Sequence, residues 1–235
     1  LGLITHQNLL NTILESTGDG ILVGFSDGSF SYTNNRFAQM WNIPKNIIET
    51  KQRQMLHKEV LSQLKDPQGF IKEINRLYES DETCFDTLEF LDGRVFERYS
   101  EPVMSDSSSR ARVWSFRDIT NRLKAGHALK ESEEKYRLLY ENAGMGIEYW
   151  TTGGKAISFN KLAAQHMGGK ARDFTGKTAV ELFGDHFGAI YHDRIVSVAE
   201  NRREMTFEYT LDLPVGKKTF LSKYNVIQDH SGNIA

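Results

Sequence analysis

Apolar residues in the first half of the chain recur at two distinct spacings, every second residue in some segments and every third or fourth in others. The first spacing predicts strands and the second predicts helices. Residues 21–25 and 30–32 predict two strands joined by a hairpin turn at Asp27-Gly28. Asn34 is a residue type that favours the N-cap of a helix, so a helix is expected directly after the second strand.

A second helix and three further strands are predicted later in this half. Asp66-Pro67 combines a capping residue with proline at the first helical position, and Phe70 and Ile74 then fall on one helical face. The predicted strands cover residues 83–90, 95–103 and 111–117. Two strands, several short helices and three strands together predict an α+β domain, in which helices pack on one face of an antiparallel sheet.

The second half of the chain repeats the first. An ungapped offset of 126 positions aligns identical residues, many of them glycine or asparagine at predicted turns and caps. Such a long period indicates duplicated domains rather than a solenoid. The aligned pairs include Glu15 and Glu141, Gly18 and Gly144, Gly20 and Gly146, Ile21 and Ile147, Gly28 and Gly154, and Asn34 and Asn160.

The repeat divides the chain into a first domain over residues 1–118 with an N-terminal helix, a helical connector over 119–142, and a second domain over 143–235. Strands are predicted in the second domain at residues 146–150, 156–159, 205–211 and 219–227, with a long helix before the last two. The second domain is expected to stop before most of its final strand, unless a partner chain supplies that strand.

Composition narrows the functional classes. The formal net charge of −2 supplies no basic surface for nucleic acid or for an anionic membrane. A single cysteine, Cys84, excludes an intrachain disulfide and fits a reducing compartment. No apolar run approaches the length of a membrane span. We therefore expect a cytoplasmic fragment, cut from a parent protein that is free to carry a membrane anchor elsewhere.

Three motifs identify a family resemblance. The run R-D-I-T-N-R at 117–122 resembles the end of a PAS domain, and E-S-E-E-K-Y-R at 131–137 resembles the lead-in to the next one. The run D-G-R-V-F-E-R-Y-S at 92–100 is similar to PAS domains of bacterial and archaeal sensor kinases. The second copy has no D-I-T equivalent.

The PAS resemblance implies, for each domain, a five-stranded antiparallel sheet in the order 2-1-5-4-3 whose helices enclose a small cavity. It also implies a sensory role, in which a ligand, a cofactor or dimerisation alters a downstream effector, most often a histidine kinase. The chain contains no phospho-accepting histidine box and no G-G-D-E-F-like run. The fragment itself is therefore expected to be regulatory and not an enzyme.

The strand-to-helix junction is the first candidate functional element. Asp118, Ile119 and Thr120 lie where the last strand of the first domain becomes the connector, and a carboxylate there is able to cap exposed amides. Beyond it, Leu129, Tyr136 and Leu139 recur at helical spacing and favour a parallel helix pair in a homodimer. The alternative is that the connector packs on its own domain.

A ligand cavity is expected between the long helix and the inner face of the sheet of the first domain. Its candidate wall residues are Tyr32, Phe70, Ile74, Arg98 and Trp114. The alternative is that these side chains fill an ordinary core. Strand alternation does not decide which of Arg98 and its neighbour Tyr99 points inward.

Cofactor and metal sites find little support in the sequence. His186 and His192 lie six positions apart, whereas a two-histidine site on a helix uses a spacing of four. His57 lies in a polar stretch, and Cys84 lies in a predicted strand outside the context of flavin-linking cysteines. We expect no metal, and a ligand-free interaction module or a heme or flavin sensor remain as alternatives to a sensor with a small-molecule pocket.

Overall fold

The computed structural model describes residues 2–51, 53–103, 110–232 and 234. The chain divides into two compact units, Leu1–Ala128 and Leu129–Ala235. The division falls inside one long helix, which begins in the first unit and ends in the second.

The first unit combines helices with one five-stranded antiparallel sheet in the order β2-β1-β5-β4-β3. This is the strand order that the PAS resemblance implies, so the expected α+β fold is confirmed for the first copy. Its elements are α1 (Gly2–Ser16), β1 (Gly20–Phe25), β2 (Phe30–Thr33), α2 (Asn35–Met40), α3 (Lys45–Glu49), α4 (Arg53–Gln63), α5 (Pro67–Tyr78), β3 (Cys84–Glu89), β4 (Val95–Val103) and β5 (Ala111–Asp118).

An aromatic core fills the space between this sheet and its helices. Trp41, fully buried after α2, lies 5.0 Å from the ring of Phe90, 5.7 Å from Phe96 and 5.2 Å from Phe116. Aromatic side chains bury large apolar areas, so this cluster is a major source of the stability of the unit.

The buried side chain of Asn34 connects α1, β1 and α2 through hydrogen bonds. Its side-chain oxygen accepts from the amides of Ile21 at 2.8 Å and Phe37 at 2.9 Å, the second being the N-cap bond expected from the sequence. Its side-chain nitrogen donates to the carbonyls of Leu14 at 3.0 Å and Asp19 at 2.9 Å.

Asn160 repeats this arrangement in the second unit. It accepts from the amides of Ile147 and Ala163, both at 2.9 Å, and donates to the carbonyls of Tyr140 at 3.0 Å and Met145 at 2.9 Å. Each partner lies 126 positions after its counterpart around Asn34. The repeat found in the sequence therefore corresponds to the same four hydrogen bonds around Asn34 and Asn160.

The strands of the second unit form two separate hairpins, β6 with β7 and β8 with β9. In the first unit β5 pairs with both β1 and β4 and so joins the two hairpins into one sheet. Among the described residues of the second unit there is no counterpart of β5, the strand that was expected to be mostly missing from the second copy, so a five-stranded sheet forms only in the first unit. The elements from the connector onward are α6 (Thr120–Glu141), β6 (Glu148–Trp150), β7 (Ala156–Phe159), α7 (Lys161–His166), α8 (Ala171–Phe174), α9 (Ala179–Asn201), β8 (Met205–Leu213) and β9 (Gly216–Tyr224).

Three strands of the second unit differ from their predicted bounds. β8 ends two residues later than predicted, at Leu213. β6 begins two residues later than predicted, and β9 begins three residues earlier, because Leu213 pairs with Gly216 across a two-residue turn. Gly216 has a φ of 104°, a conformation that glycine adopts without strain. Among the described helices, none is long and apolar enough to cross a membrane.

Candidate functional site

A cavity of about 260 Å³ opens in the first unit between the inner face of the sheet and helices α4 and α5. Its walls are chiefly aromatic and aliphatic. The aromatic part of the wall includes Phe30, Trp41, Phe70, Trp114 and Phe116. A mostly apolar, concave space with a few polar groups is typical of small-molecule sites.

Tyr78, at the end of α5, supplies a polar group to this wall. Its hydroxyl accepts from the indole N–H of Trp114, with 3.3 Å between oxygen and nitrogen. Burial raises the pKa of the Tyr78 phenol, so the hydroxyl stays protonated at neutral pH. Gly24 lies opposite on β1, and a Cβ at that position would come within 2.7 Å of the Tyr78 hydroxyl oxygen.

Three of the five predicted wall residues line the cavity, namely Phe70, Ile74 and Trp114. Tyr32 does not, because its hydroxyl points to Glu15 on α1, 3.4 Å from that carboxylate. Arg98 is likewise not a wall residue. Binding by the other three stays a prediction.

Arg98 is a buried cation that pairs with the half-buried carboxylate of Asp86. The side chain of Arg98 is 1% exposed. Its guanidinium donates two hydrogen bonds to the carboxylate of Asp86 on β3, with 2.8 Å from Nε to Oδ1. The same group lies 5.3 Å from the ring of Phe70 and 5.6 Å from that of Trp114. Arg98 therefore packs near two rings of the cavity wall without lining the cavity itself, whereas Tyr99 is exposed.

Arg112 is a second buried cation that sequence reasoning missed. Its guanidinium donates to the carbonyls of Leu77 at 2.6 Å and Ser80 at 3.1 Å, and also to that of Glu82. These carbonyls lie at and just after the C-terminal end of α5, where a cation is favoured by the helix dipole. Arg112 thus fastens the end of the helix that carries Tyr78 to strand β5.

Tyr78 was also absent from the predicted site, although its sequence signal was visible. Phe70, Ile74 and Tyr78 recur at a spacing of four on α5 and so lie on one face. The spacing puts all three on one face of α5 but does not show which of them borders a space.

The junction between β5 and α6 is stabilised by hydrogen bonds of three consecutive residues, Asp118, Ile119 and Thr120. The carboxylate of Asp118 accepts from the amide of Thr120 at 2.9 Å, and the amide of Ile119 donates to the carbonyl of Val95 at 3.0 Å. The hydroxyl of Thr120 accepts from the amide of Val95 at 3.0 Å. Ile119 and Thr120 are buried, so the first turn of α6 is held by the start of β4.

The middle of α6 presents apolar side chains to solvent. Leu129 is 62%, Tyr136 69% and Leu139 62% exposed. Their spacing of seven and three residues places them along one stripe of the helix.

The histidine and cysteine candidates are not brought together. His186 and His192 both lie on α9, and His57 lies on α4. Cys84 begins β3, and burial raises the pKa of its thiol. Within the described parts of the chain, no cluster of three or more histidine, cysteine, aspartate or glutamate side chains is arranged to hold a metal ion.

The second unit contains a buried carboxyl group that the sequence did not single out. Glu148 on β6 accepts from the hydroxyl of Tyr191 at 2.6 Å and from the indole N–H of Trp150 at 3.0 Å. Burial raises the pKa of Glu148, and these two hydrogen bonds offset only part of that rise. The same burial raises the pKa of Tyr191 well above its ordinary value.

No family model matches the chain, and no curated protein matches it. Solved structures that align with it include the PAS domain of an HTR-like protein from Haloarcula marismortui, at 18% identity and a TM-score of 0.39, over 50% of this chain and 94% of that one. The PAS domain from Bordetella pertussis BvgS aligns at 18% identity and 0.36, over 55% and 98%. The PAS domain of nitrogen regulation protein NR(II) from Vibrio parahaemolyticus aligns at 17% and 0.33, over 47% and 98%.

Proposed function

We propose that this chain is a tandem PAS sensory module, in which a small molecule held by the first unit changes the connector helix and thereby an effector domain elsewhere in the parent protein. The effector we propose is a histidine kinase, the effector class that the PAS resemblance most often implies. The module itself would catalyse no reaction.

The observation that carries this proposal is the cavity of about 260 Å³ in the first unit. The space is partly open to solvent, so it is a pocket at the inner face of the sheet rather than a sealed void in the core. A small ligand is able to enter such a pocket. The apolar wall with a few polar groups has the composition of a ligand site.

Strand β5 provides a direct physical connection from this cavity to the connector. Trp114 and Phe116 lie at the cavity wall, and Asp118 ends the same strand two residues later. A ligand that displaces either ring would act on a rigid strand that runs into the capped first turn of α6. The buried side chains of Ile119 and Thr120 would then pass that displacement to the helix.

We propose further that the module acts as a homodimer through the exposed stripe of α6. Leu129, Tyr136 and Leu139 would pair with the same residues of a second copy in a parallel helix pair. Two copies of an effector would thereby be held side by side, and a change at the start of each helix would alter their spacing.

Native mass spectrometry of the purified chain tests both parts of this proposal at once. We expect a dimer that carries a retained compound, and Ile74→Phe should remove the compound because the larger ring fills the cavity. Ile13→Phe is the matched control, since Ile13 on α1 is 50% exposed and lies outside the cavity. A chain that never carries or takes up a small molecule would contradict the sensory assignment.

The dimer has its own matched pair of variants. Leu129→Glu should give monomers because it places a charge in the proposed seam, whereas Leu138→Glu should not, since Leu138 lies on the opposite side of the helix. Both residues are more than half exposed, so neither change should unfold the chain. Equal effects of the two variants would count against the helix pair.

A ligand-free interaction module is the second candidate function, and the exposed stripe of α6 is the observation that favours it. A dimer without any bound compound would support this alternative. We propose no heme or flavin, so the purified chain should show no visible absorbance band.

A further inference from the structure

The size of the cavity in the first unit limits the ligand that it is able to enclose. An apolar cavity of about 150 Å³ binds benzene, so a volume of about 260 Å³ corresponds to roughly ten non-hydrogen atoms. That is the size of two fused rings. The lining includes the rings of Phe30, Phe70 and Trp114, and aromatic side chains of this kind suit the faces of such a ring system.

The charge of the wall limits the ligand further. The lining residues include no aspartate, glutamate, lysine or arginine. Arg98, whose guanidinium lies 5.3 Å from the Phe70 ring, does not line the cavity, and its Nε and Nη2 are bonded to the carboxylate of Asp86. A charged compound would lose its hydration without gaining an opposite charge, and this is a large cost in an apolar site.

The Tyr78 hydroxyl supplies a polar contact at the wall. The hydroxyl oxygen accepts a hydrogen bond from the Trp114 indole N–H, so the hydroxyl proton is still available for donation. Among residues 2–51, 53–103 and 110–232, no acceptor receives that proton. The hydroxyl packs closely on Gly24, since a Cβ there would lie 2.7 Å from the oxygen. A hydrogen-bond acceptor on a ligand would complete the bonding of this group.

From these three features we infer that the cavity selects a neutral compound of about two fused rings that carries a hydrogen-bond acceptor, and that Tyr78 is the residue that recognises the acceptor. This inference rests on the proposed function, because it assumes that the cavity is a ligand site. It adds the chemical class of the ligand and a specificity-determining residue.

Quinoline and naphthalene form a matched pair of probes, since they have the same shape and size and only quinoline carries an acceptor nitrogen. Their dissociation constants would be measured by equilibrium dialysis with the whole chain at one fixed pH of 8. We expect Tyr78→Phe to weaken quinoline about fivefold, the effect of one ordinary hydrogen bond, and to leave naphthalene within about twofold.

Two further variants separate recognition from a loss of structure. Tyr99→Phe removes a hydroxyl from the outer face of the same sheet and should change neither constant. Gly24→Ala keeps Tyr78 but crowds its hydroxyl, so it should weaken quinoline more than naphthalene. Thermal unfolding of each variant checks that the unit remains folded.

The charged analogue N-methylquinolinium should bind at least about tenfold more weakly than quinoline because the wall offers no counter-charge. Binding as tight as that of quinoline would overturn the neutral class. An equal loss of quinoline and naphthalene in Tyr78→Phe, or no loss of either, would overturn the role of Tyr78.

The failure of this inference is distinguishable from the failure of the proposed function. If neither probe binds while native mass spectrometry finds another retained compound, the ligand class is wrong and the cavity remains a sensory site. If neither probe binds and no compound is retained, both the inference and the proposed function are wrong.

Discussion

At the scale of single residues, Asn34 and Asn160 each occupy a buried position with four hydrogen bonds to backbone groups. Asn34→Ala would leave the amides of Ile21 and Phe37 buried without a partner, which costs roughly 1–3 kcal/mol for each group. We therefore expect Asn34→Ala to lower the free energy of unfolding of the first unit by at least about 2 kcal/mol.

Hydrogen exchange followed by mass spectrometry measures this effect in each unit separately. Asn34→Ala should speed exchange in the first unit, and Asn160→Ala in the second. Asn46→Ala is the control, because the side chain of Asn46 is exposed on α3. Equal loss of protection in both units after either change would show that the two repeats do not unfold separately.

Glu148 predicts a pH dependence for the second unit. Burial raises the pKa of its carboxyl group in the folded chain above the value of about 4.3 for an unfolded one. The folded state therefore holds a proton that the unfolded state has lost, so this contribution to stability is present at acid pH and decreases as pH rises above about 4.3. The decrease continues up to the raised pKa and then stops.

The measurement is denaturant unfolding of the second unit across this pH range, in the original chain and in Glu148→Gln. The glutamine keeps a side-chain oxygen for Tyr191 and Trp150 but has no carboxyl group to titrate. The variant should lose this part of the pH dependence. An unchanged pH profile would mean that another group is responsible.

At the scale of elements, Asp118 is predicted to couple the sheet to α6. Asp118→Ala removes the hydrogen bond to the amide of Thr120, and loss of such a cap costs about 1 kcal/mol. Because Ile119 and Thr120 stay buried against β4, the first unit should remain folded. We expect faster hydrogen exchange in the first turn of α6 and loss of any ligand-dependent change in that helix.

Asp118→Asn is the conservative control, since its side-chain oxygen is still able to accept from Thr120. It should behave like the original chain. In the full parent protein, Asp118→Ala should lock or uncouple the output while thermal stability stays near normal. Regulation that is unaffected by Asp118→Ala would move the coupling role elsewhere along the connector.

At the scale of the whole molecule, the chain should respond to proteases as two stable units with one susceptible segment. The division between the units falls after Ala128, two residues beyond Gly126 in α6. Glycine in a helix interior costs about 1 kcal/mol relative to alanine, so the helix should open most readily there. Limited proteolysis should therefore cut near Gly126 before it cuts within either unit.

Gly126→Ala tests the cause as well as the position of this cleavage. No atom lies within 4 Å of the Cβ that alanine would add, so the change should stabilise the helix without a clash. The variant should be cut more slowly at this site. Early cleavage within residues 20–100, with α6 intact, would contradict the division into two separately folding units.

The sequence alone determined the repeat, the strand and helix order and the capping residues, because each of these depends on local spacing or on residue types with strong backbone preferences. Asn34 before α2 and Asp66 before α5 are examples, and both cap as predicted. Alternation along a strand shows that neighbouring residues face opposite ways, but not which of the two faces lies inward.

Only the tertiary structure decided that Arg98 points inward and pairs with Asp86, because that choice depends on which face of β4 the helices cover. It also decided that Tyr78 borders an open space while Tyr32 turns to Glu15, and that Arg112 secures the end of α5. These relations join residues 12 to 36 positions apart in the chain, where no local spacing pattern applies. Long-range packing, rather than local preference, therefore defines the candidate site.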